Sequence, residues 1–513
     1  MDDLQQIVIN GIDAATGGYA FPPRLLGRFV AGLGAGSPPP DAAEVRLRHR
    51  ADQGSQRELA RLRDSIAQLR QQAEGLAPGD PLRALLAQLE AELLRRQHLG
   101  VRAGLDTREL RQAGWGIICA ADEPEETLEA LAPLLDWRRE QAGPRFRSYT
   151  GAHGYRSADP REGKTRFLLR SGAAAAGPVD PERVPYYLLI VGDAARIPFE
   201  FQHQLDIQYA VGRLHLDSPA AYARYARAVV SVERQRGAAP QLTLFGPAHA
   251  GDPATALSRG DLVAPLYDAL LGTAGWDCRL LCDDDATKSR LCQLLRGAAP
   301  ALLFTATHGL QLQCGSDRQR DLQGALLCQD WPGPGHPPPH PEHYFAAADI
   351  PREADLHGTV WFSFACFSAG TPRLDSFSGA RSHAAQPLAS EPFVAALPRQ
   401  LLAHPGGPAL AVIGHVDRAW GYSFNWPGGA AGAHTAAIED VLRQLMRGER
   451  IGAALEPLNQ RYAELASLLC DELADRHNGK RTAAADLAML WLAAYDARGY
   501  LLLGDPAAYI RPG

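Results

Sequence analysis

Cysteine is scarce, with eight among 513 residues. Cys119, Cys278, Cys282, Cys292, Cys314, Cys328, Cys366 and Cys470 show neither the paired spacing of a zinc site nor the density of a disulfide framework, so mostly reduced thiols in a cytoplasm fit best. Long apolar runs are missing too. Charge, proline or glycine breaks each candidate well short of the roughly 20 residues that cross a bilayer, so no membrane partner is expected. Charge of one sign is not in excess: 52 Lys and Arg against 58 Asp and Glu leave a formal net charge of −6. A nucleic-acid partner would need a local basic patch, and none is expected. The opening Met1-Asp2-Asp3-Leu4-Gln5-Gln6 is acidic and polar where a secretory signal needs a basic start and an apolar run, so export by that route is not expected.

What is present is globular material. Hydrophobic residues make up 46% and charged residues 21%, enough for a sizeable core, and the length divides into two to four domains at roughly 150 residues each. Residues 1–40 carry no helical period and end in Ser37-Pro38-Pro39-Pro40, an extended leader with a stiff linker. From 41 to 105 the composition turns to Arg, Gln, Glu, Ala and Leu. Leu59, Leu62, Ile66 and Leu69, then Leu82, Leu85, Leu86, Leu89 and Leu93 beyond Ala77-Pro78-Gly79-Asp80-Pro81, predict two helices folded back as a coiled-coil-like hairpin, read as a docking element for a regulatory protein.

Beyond Leu105 apolar strands alternate with amphipathic helices, which predicts α/β architecture with a mostly parallel sheet. One unit spans 106–237, with strands at Trp115–Ala120 and Tyr186–Val191. A second spans 238–513, with strands at Leu242–Gly246, Ala301–Ala306, Thr359–Phe364 and Ala409–Gly414. The Gly-, Pro- and His-rich stretch between Gln311 and Pro351 reads as a flap.

Two strands of the second unit run into reactive residues, one into Thr307-His308-Gly309, the next into Ala365-Cys366-Phe367-Ser368-Ala369-Gly370. In a parallel sheet these carboxyl ends share one edge, where such folds place ligands and catalytic groups. A lone His-Gly or a lone buried Cys is more often packing chemistry; their conjunction at consecutive strand ends carries the inference. A thiol becomes a nucleophile when an imidazole manages its proton. Gly309 lets a substrate backbone approach, and N–H groups near Gly309 and Cys366 would hold a developing oxyanion. His308 and Cys366 are thus the candidate dyad of a cysteine endopeptidase.

At these residues the chain resembles the caspase-like clan of cysteine peptidases, in particular its gingipain-like branch. Tyr187 to Asp193, Arg196-Ile197-Pro198, Tyr209 to Leu214, Tyr222 and the Val-Glu-Arg at 232–234 are similar to the non-catalytic first subdomain of gingipains. Thr307-His308-Gly309 and Ala365-Cys366-Phe367 match the catalytic signatures, and Tyr500 to Pro506 resembles the closing Gly-Asp-Pro segment. Gly324-Ala325-Leu326-Leu327-Cys328 and Gly448 to Leu455 are also similar to the bacterial caspase-like domains called CHAT. The resemblance implies a caspase-hemoglobinase fold with flanking helices in the second unit, preceded by the smaller α/β subdomain and the helical hairpin. It also implies a cytoplasmic regulatory protease, of the defence or programmed-death type, acting on a protein substrate.

In this clan the strand ends flanking the dyad build the pocket for the residue before the scissile bond. Asp252, Asp417 and Trp420 are its candidate substrate-binding residues: a carboxylate would favour Arg or Lys, and Trp420 would stack on the side chain. The equally weighted alternative makes both carboxylates loop caps and Trp420 core. No acidic third member of the dyad is legible, and the clan requires none. Asp193 and Asp505 read as Asx-type turns, Asp283-Asp284-Asp285 as a solvated turn, and His336, His340 and His343 as loop residues; no metal or other cofactor is expected. The rival reading is an inactive caspase-like binding module in a signalling complex.

Overall fold

Short runs that are apolar on both faces, as in a sheet covered by helices on each side, supply the strands. The computed structural model describes residues 8–21, 27–30, 100–102, 104–234, 240–377, 387–425, 435–478 and 483–511. In chain order its principal strands are β1 (Gly11–Asp13), β2 (Trp115–Cys119), β3 (Phe146–Tyr149), β4 (Tyr187–Val191), β5 (Ala210–Leu214), β6 (Gln241–Gly246) and β7 (Asp277–Cys282). They continue with β8 (Leu302–Ala306), β9 (Gly309–Gln311), β10 (Leu326–Leu327), β11 (Tyr344–Phe345), β12 (Val360–Phe364), β13 (Ala411–His415) and β14 (Tyr500–Gly504).

Ten strands form one sheet in the order β3-β2-β4-β5-β14-β13-β12-β8-β6-β7. Every neighbouring pair is parallel except β13 and β14. Within this one sheet β3-β2-β4-β5 and β13-β12-β8-β6-β7 are parallel runs, and β14 joins them: it lies parallel to β5 on one side and antiparallel to β13 on the other. The join is held by buried charge. Asp505, directly after β14, accepts from Trp115 Nε1 at 2.9 Å and from Arg138 Nε at 2.8 Å, and Arg138 also pairs with Glu233 at 2.6 Å. Asp505 Oδ1 accepts from the Ala507 N–H as well, an Asx turn with a second purpose.

Helices α1 (Ala132–Ala142) and α2 (Pro219–Arg234) pack together over the first run. Across the second, α3 (Ala436–Met446), α4 (Glu456–His477) and α5 (Ala484–Gly499) pack in sequence. The expected hairpin over 41–105 falls almost wholly on residues 31–99, outside the described residues. No helix among the described residues is long and apolar enough to cross a membrane.

A second, four-stranded sheet runs β1-β9-β10-β11 beside the carboxyl ends of β8 and β12. It has its own small core of Ile12, Leu310, Ala325, Leu327, Trp331, Tyr344 and Ala346. The flap therefore is a folded sheet, and the leader contributes its first strand, parallel to β9 with Gly11 opposite Gly309.

Candidate active site

β8 and β12 are parallel neighbours in register, Ala306 opposite Phe364, so His308 and Cys366 leave the same edge of the sheet two residues later. Both are fully buried. Phe367 follows with φ of 59°, a left-handed conformation unusual for a bulky residue and typical of a site held in place by its surroundings. Its N–H donates to the Asp417 carbonyl at 2.7 Å. Gly309 has no room for a side chain, since a Cβ would lie 1.9 Å from the Cys366 carbonyl oxygen.

His308 Nε2 lies 2.6 Å from Asp252 Oδ2. A carboxylate can only accept there, so Nε2 carries a proton, and in the neutral imidazole Nδ1 is the nitrogen with the lone pair. Among the described residues Nδ1 has no hydrogen-bond partner. Asp252 is the cap of the helical turn Pro253–Leu257, accepting from the Ala254 N–H at 3.1 Å, and it also accepts from Thr255 Oγ1 at 2.7 Å and Tyr19 Oη at 2.6 Å. Burial alone would push its carboxyl up. The charge of His308 and the hydrogen bonds from His308 and Tyr19, with His249 Nδ1 3.6 Å away, outweigh that and hold it well below the usual carboxylate range.

Cys366 Sγ accepts from the Ala419 N–H at 3.2 Å, and among the described residues its hydrogen-bond contacts are with Ala419, not His308. Burial pushes the thiol well up, with the Ala419 N–H and the Arg418 charge drawing back only part.

The pocket candidates sit as the second of the two readings has them, the carboxylates in loop contacts and Trp420 in the core. Asp252 has both oxygens engaged as above and supports His308; it does not floor a pocket for a basic side chain. Asp417, at φ of 75°, bonds the N–H and guanidinium of its neighbour Arg418, which is itself buried against Asp375 at 2.9 Å. Burial, opposed by Arg418, pushes the Asp417 carboxyl up to about 6. Trp420 is core, edge-on to Phe21 and Phe377.

The leader itself enters the cleft, which composition did not foretell. Asn10 N donates to the Ala419 carbonyl at 3.0 Å, and the Val8 carbonyl accepts from the Gly421 N–H at 3.0 Å, so this segment pairs antiparallel with the stretch after β13. The Asn10 carbonyl oxygen accepts from two N–H groups, Gly309 and Cys366, each at 3.0 Å. Chain then turns through Asp13–Gly18 and returns, placing Tyr19 on Asp252 and Phe21 on Trp420. The only legible signal was the β-branched run Ile7-Val8-Ile9 ahead of Asn10-Gly11.

His249, Asp252 and His308 bring three ligand-type atoms within 4.8 Å of one another. The 2.6 Å separation of Asp252 and His308 is that of a hydrogen bond. Two ligands about 2.0 Å from a tetrahedral ion stand farther apart than that, so a cation would have to break this bond to bind.

No family model matches the chain, and no curated protein does. Solved structures are similar to it. A complex of Porphyromonas gingivalis RgpB pro- and mature domains is 13% identical, with 78% of this chain and 80% of that one covered and a TM-score of 0.43. A structure described only as a protease is 12% identical, covers 78% and 79%, and has a TM-score of 0.45. The Saccharomyces cerevisiae separase–securin complex is 11% identical over 63% of this chain and 16% of that one, with a TM-score of 0.32.

Proposed function

We propose that the protein is a cysteine endopeptidase with Cys366 as nucleophile, His308 as proton carrier and Asp252 as the group that orients His308. One observation carries this reading: a peptide carbonyl, that of Asn10, sits on two converging N–H donors, one of them belonging to Cys366 itself. Donors so arranged, beside a thiol, are what a peptide carbonyl needs when its oxygen takes on charge.

His308 Nδ1 accepts the thiol proton as Sγ bonds to the carbonyl carbon, and the oxygen's charge falls on the N–H groups of Gly309 and Cys366. The C–N bond then breaks and the proton passes from His308 to the departing amine. Water hydrolyses the thioester, returning the thiol.

The test is labelling by a peptidyl acyloxymethyl ketone, mapped over all eight cysteines, on a Gly11→Val chain. A side chain at 11 cannot share space with Sγ, because a Cβ there would lie 2.6 Å from it. Labelling confined to Cys366 and lost in His308→Ala is expected. Labelling that instead follows exposure, with Cys314 foremost, would contradict the assignment.

A further inference from the structure

We propose that the cleft selects an uncharged, asparagine-sized residue before the scissile bond, and that the leader segment Val8–Asp13 is the chain's own ligand for it, lying across Cys366 and blocking it. The proposal rests on the endopeptidase reading and adds its substrate class and its regulation.

Backbone contacts fix which residue is which. With the Asn10 carbonyl on the two N–H donors, Asn10 precedes the bond presented to Cys366, and Gly11 follows it. The Asn10 side chain then reports the pocket. It is fully buried, and its Nδ2 donates to Ser258 Oγ at 3.4 Å and to the Thr307 carbonyl at 3.3 Å. Ser258 opens the π-helical turn Ser258–Val263, and wide turns of this kind are frequent at functional sites.

These partners discriminate by charge and size. The Thr307 carbonyl requires a donor, so an aspartate carboxylate would be repelled there. A lysine or arginine would need a free carboxylate and a longer pocket. Asp252 offers neither free oxygen, being held by Tyr19, Ala254, Thr255 and His308. Gly11 fits for the reason that anything larger does not: its Cβ would meet Cys366 Sγ at 2.6 Å, Cys366 Cβ at 2.9 Å and Ala20 Cβ at 3.3 Å.

The segment is also anchored on both sides of the bond. Ile12 is fully buried in the small core under β9 and β10, and the returning strand pins Tyr19 to Asp252. A substrate must displace all of this before it reaches the thiol.

The experiment compares full-length wild type and Gly11→Val on peptides of the form Val-Ile-Xaa-Gly-Ile-Asp, with Xaa as Asn, Asp, Ala, Lys or Arg. Gly11→Val is expected to cut the Asn peptide at least tenfold faster than wild type does, and at least tenfold faster than the Asp, Lys or Arg peptides. A Tyr19→Phe chain, which loosens the segment by removing the hydroxyl bonded to Asp252 and keeps the ring, should fall between wild type and Gly11→Val. Cleavage that favours Lys, Arg or Asp overturns the specificity while leaving the endopeptidase standing. Equal rates for all three chains overturn the blocking role. No cleavage of any peptide, together with no labelling of Cys366, removes the endopeptidase and this proposal with it.

Discussion

Asp252 and His308, 56 residues apart in the chain, meet at 2.6 Å with both side chains fully buried. The bond fixes the imidazole tautomer, and with it which nitrogen is free to handle a proton.

If that is its role, Asp252→Asn changes chemistry more than binding. In the Gly11→Val background, kcat should fall by about 10²- to 10⁴-fold, the range typical of a lost acid–base contribution, while KM stays within about threefold. A change in KM alone would make Asp252 a structural cap and nothing more.

The charge cluster joining the two parallel runs is a separate matter of stability. Asp505→Ala leaves the buried Arg138 with Glu233 as its remaining carboxylate and strips Trp115 Nε1 of its acceptor. Breaking such a buried pair costs about 3–5 kcal/mol, to be read from urea unfolding midpoints. A loss below about 1 kcal/mol would show that the cluster does not hold β14 in place.

Asp496 gives the chain a pH signature. Burial, opposed by Arg461 at 3.8 Å and by hydrogen bonds from Ser423 and the Trp420 N–H, pushes its carboxyl up to about 6. His415, 3.6 Å away, is pushed by burial down to about 3 and so stays neutral near pH 7. Because the folded-state value is raised, this carboxyl's contribution is fully present below about pH 4 and is lost as pH rises through 6. Asp496→Asn removes that loss, so its stability relative to wild type should improve by roughly 3 kcal/mol between pH 3.5 and 7. A gap that is constant over this range contradicts the raised value.

Much of the frame was legible because parallel strands buried on both faces write themselves as continuous apolar runs: β2, β4, β8 and β12 lie within the runs read from the sequence, and β6 and β13 each extend one residue beyond theirs. His308 and Cys366 followed from where two such runs end. β7 was missed because an edge strand reading Asp277-Cys278-Arg279-Leu280-Leu281-Cys282 is only half-buried and carries charge. The partnership of Asp252 with His308 left no local trace, since nothing near either residue marks a contact made through the fold. The leader left little more trace for the same reason: apart from the local bridge of Ile12 to Tyr19, Ile9 to Asp13 gain their strand partners, Trp420 and β9, from residues some three hundred or more positions away.

The central claim is that Cys366 cuts peptide bonds. The most direct measurement is digestion of a mixed peptide library by Gly11→Val and by Gly11→Val with Cys366→Ala, read by mass spectrometry. The account predicts cleavage by the first, concentrated after asparagine, and none by the second. Cleavage that survives the loss of the thiol, or a library left intact by both chains, would contradict it.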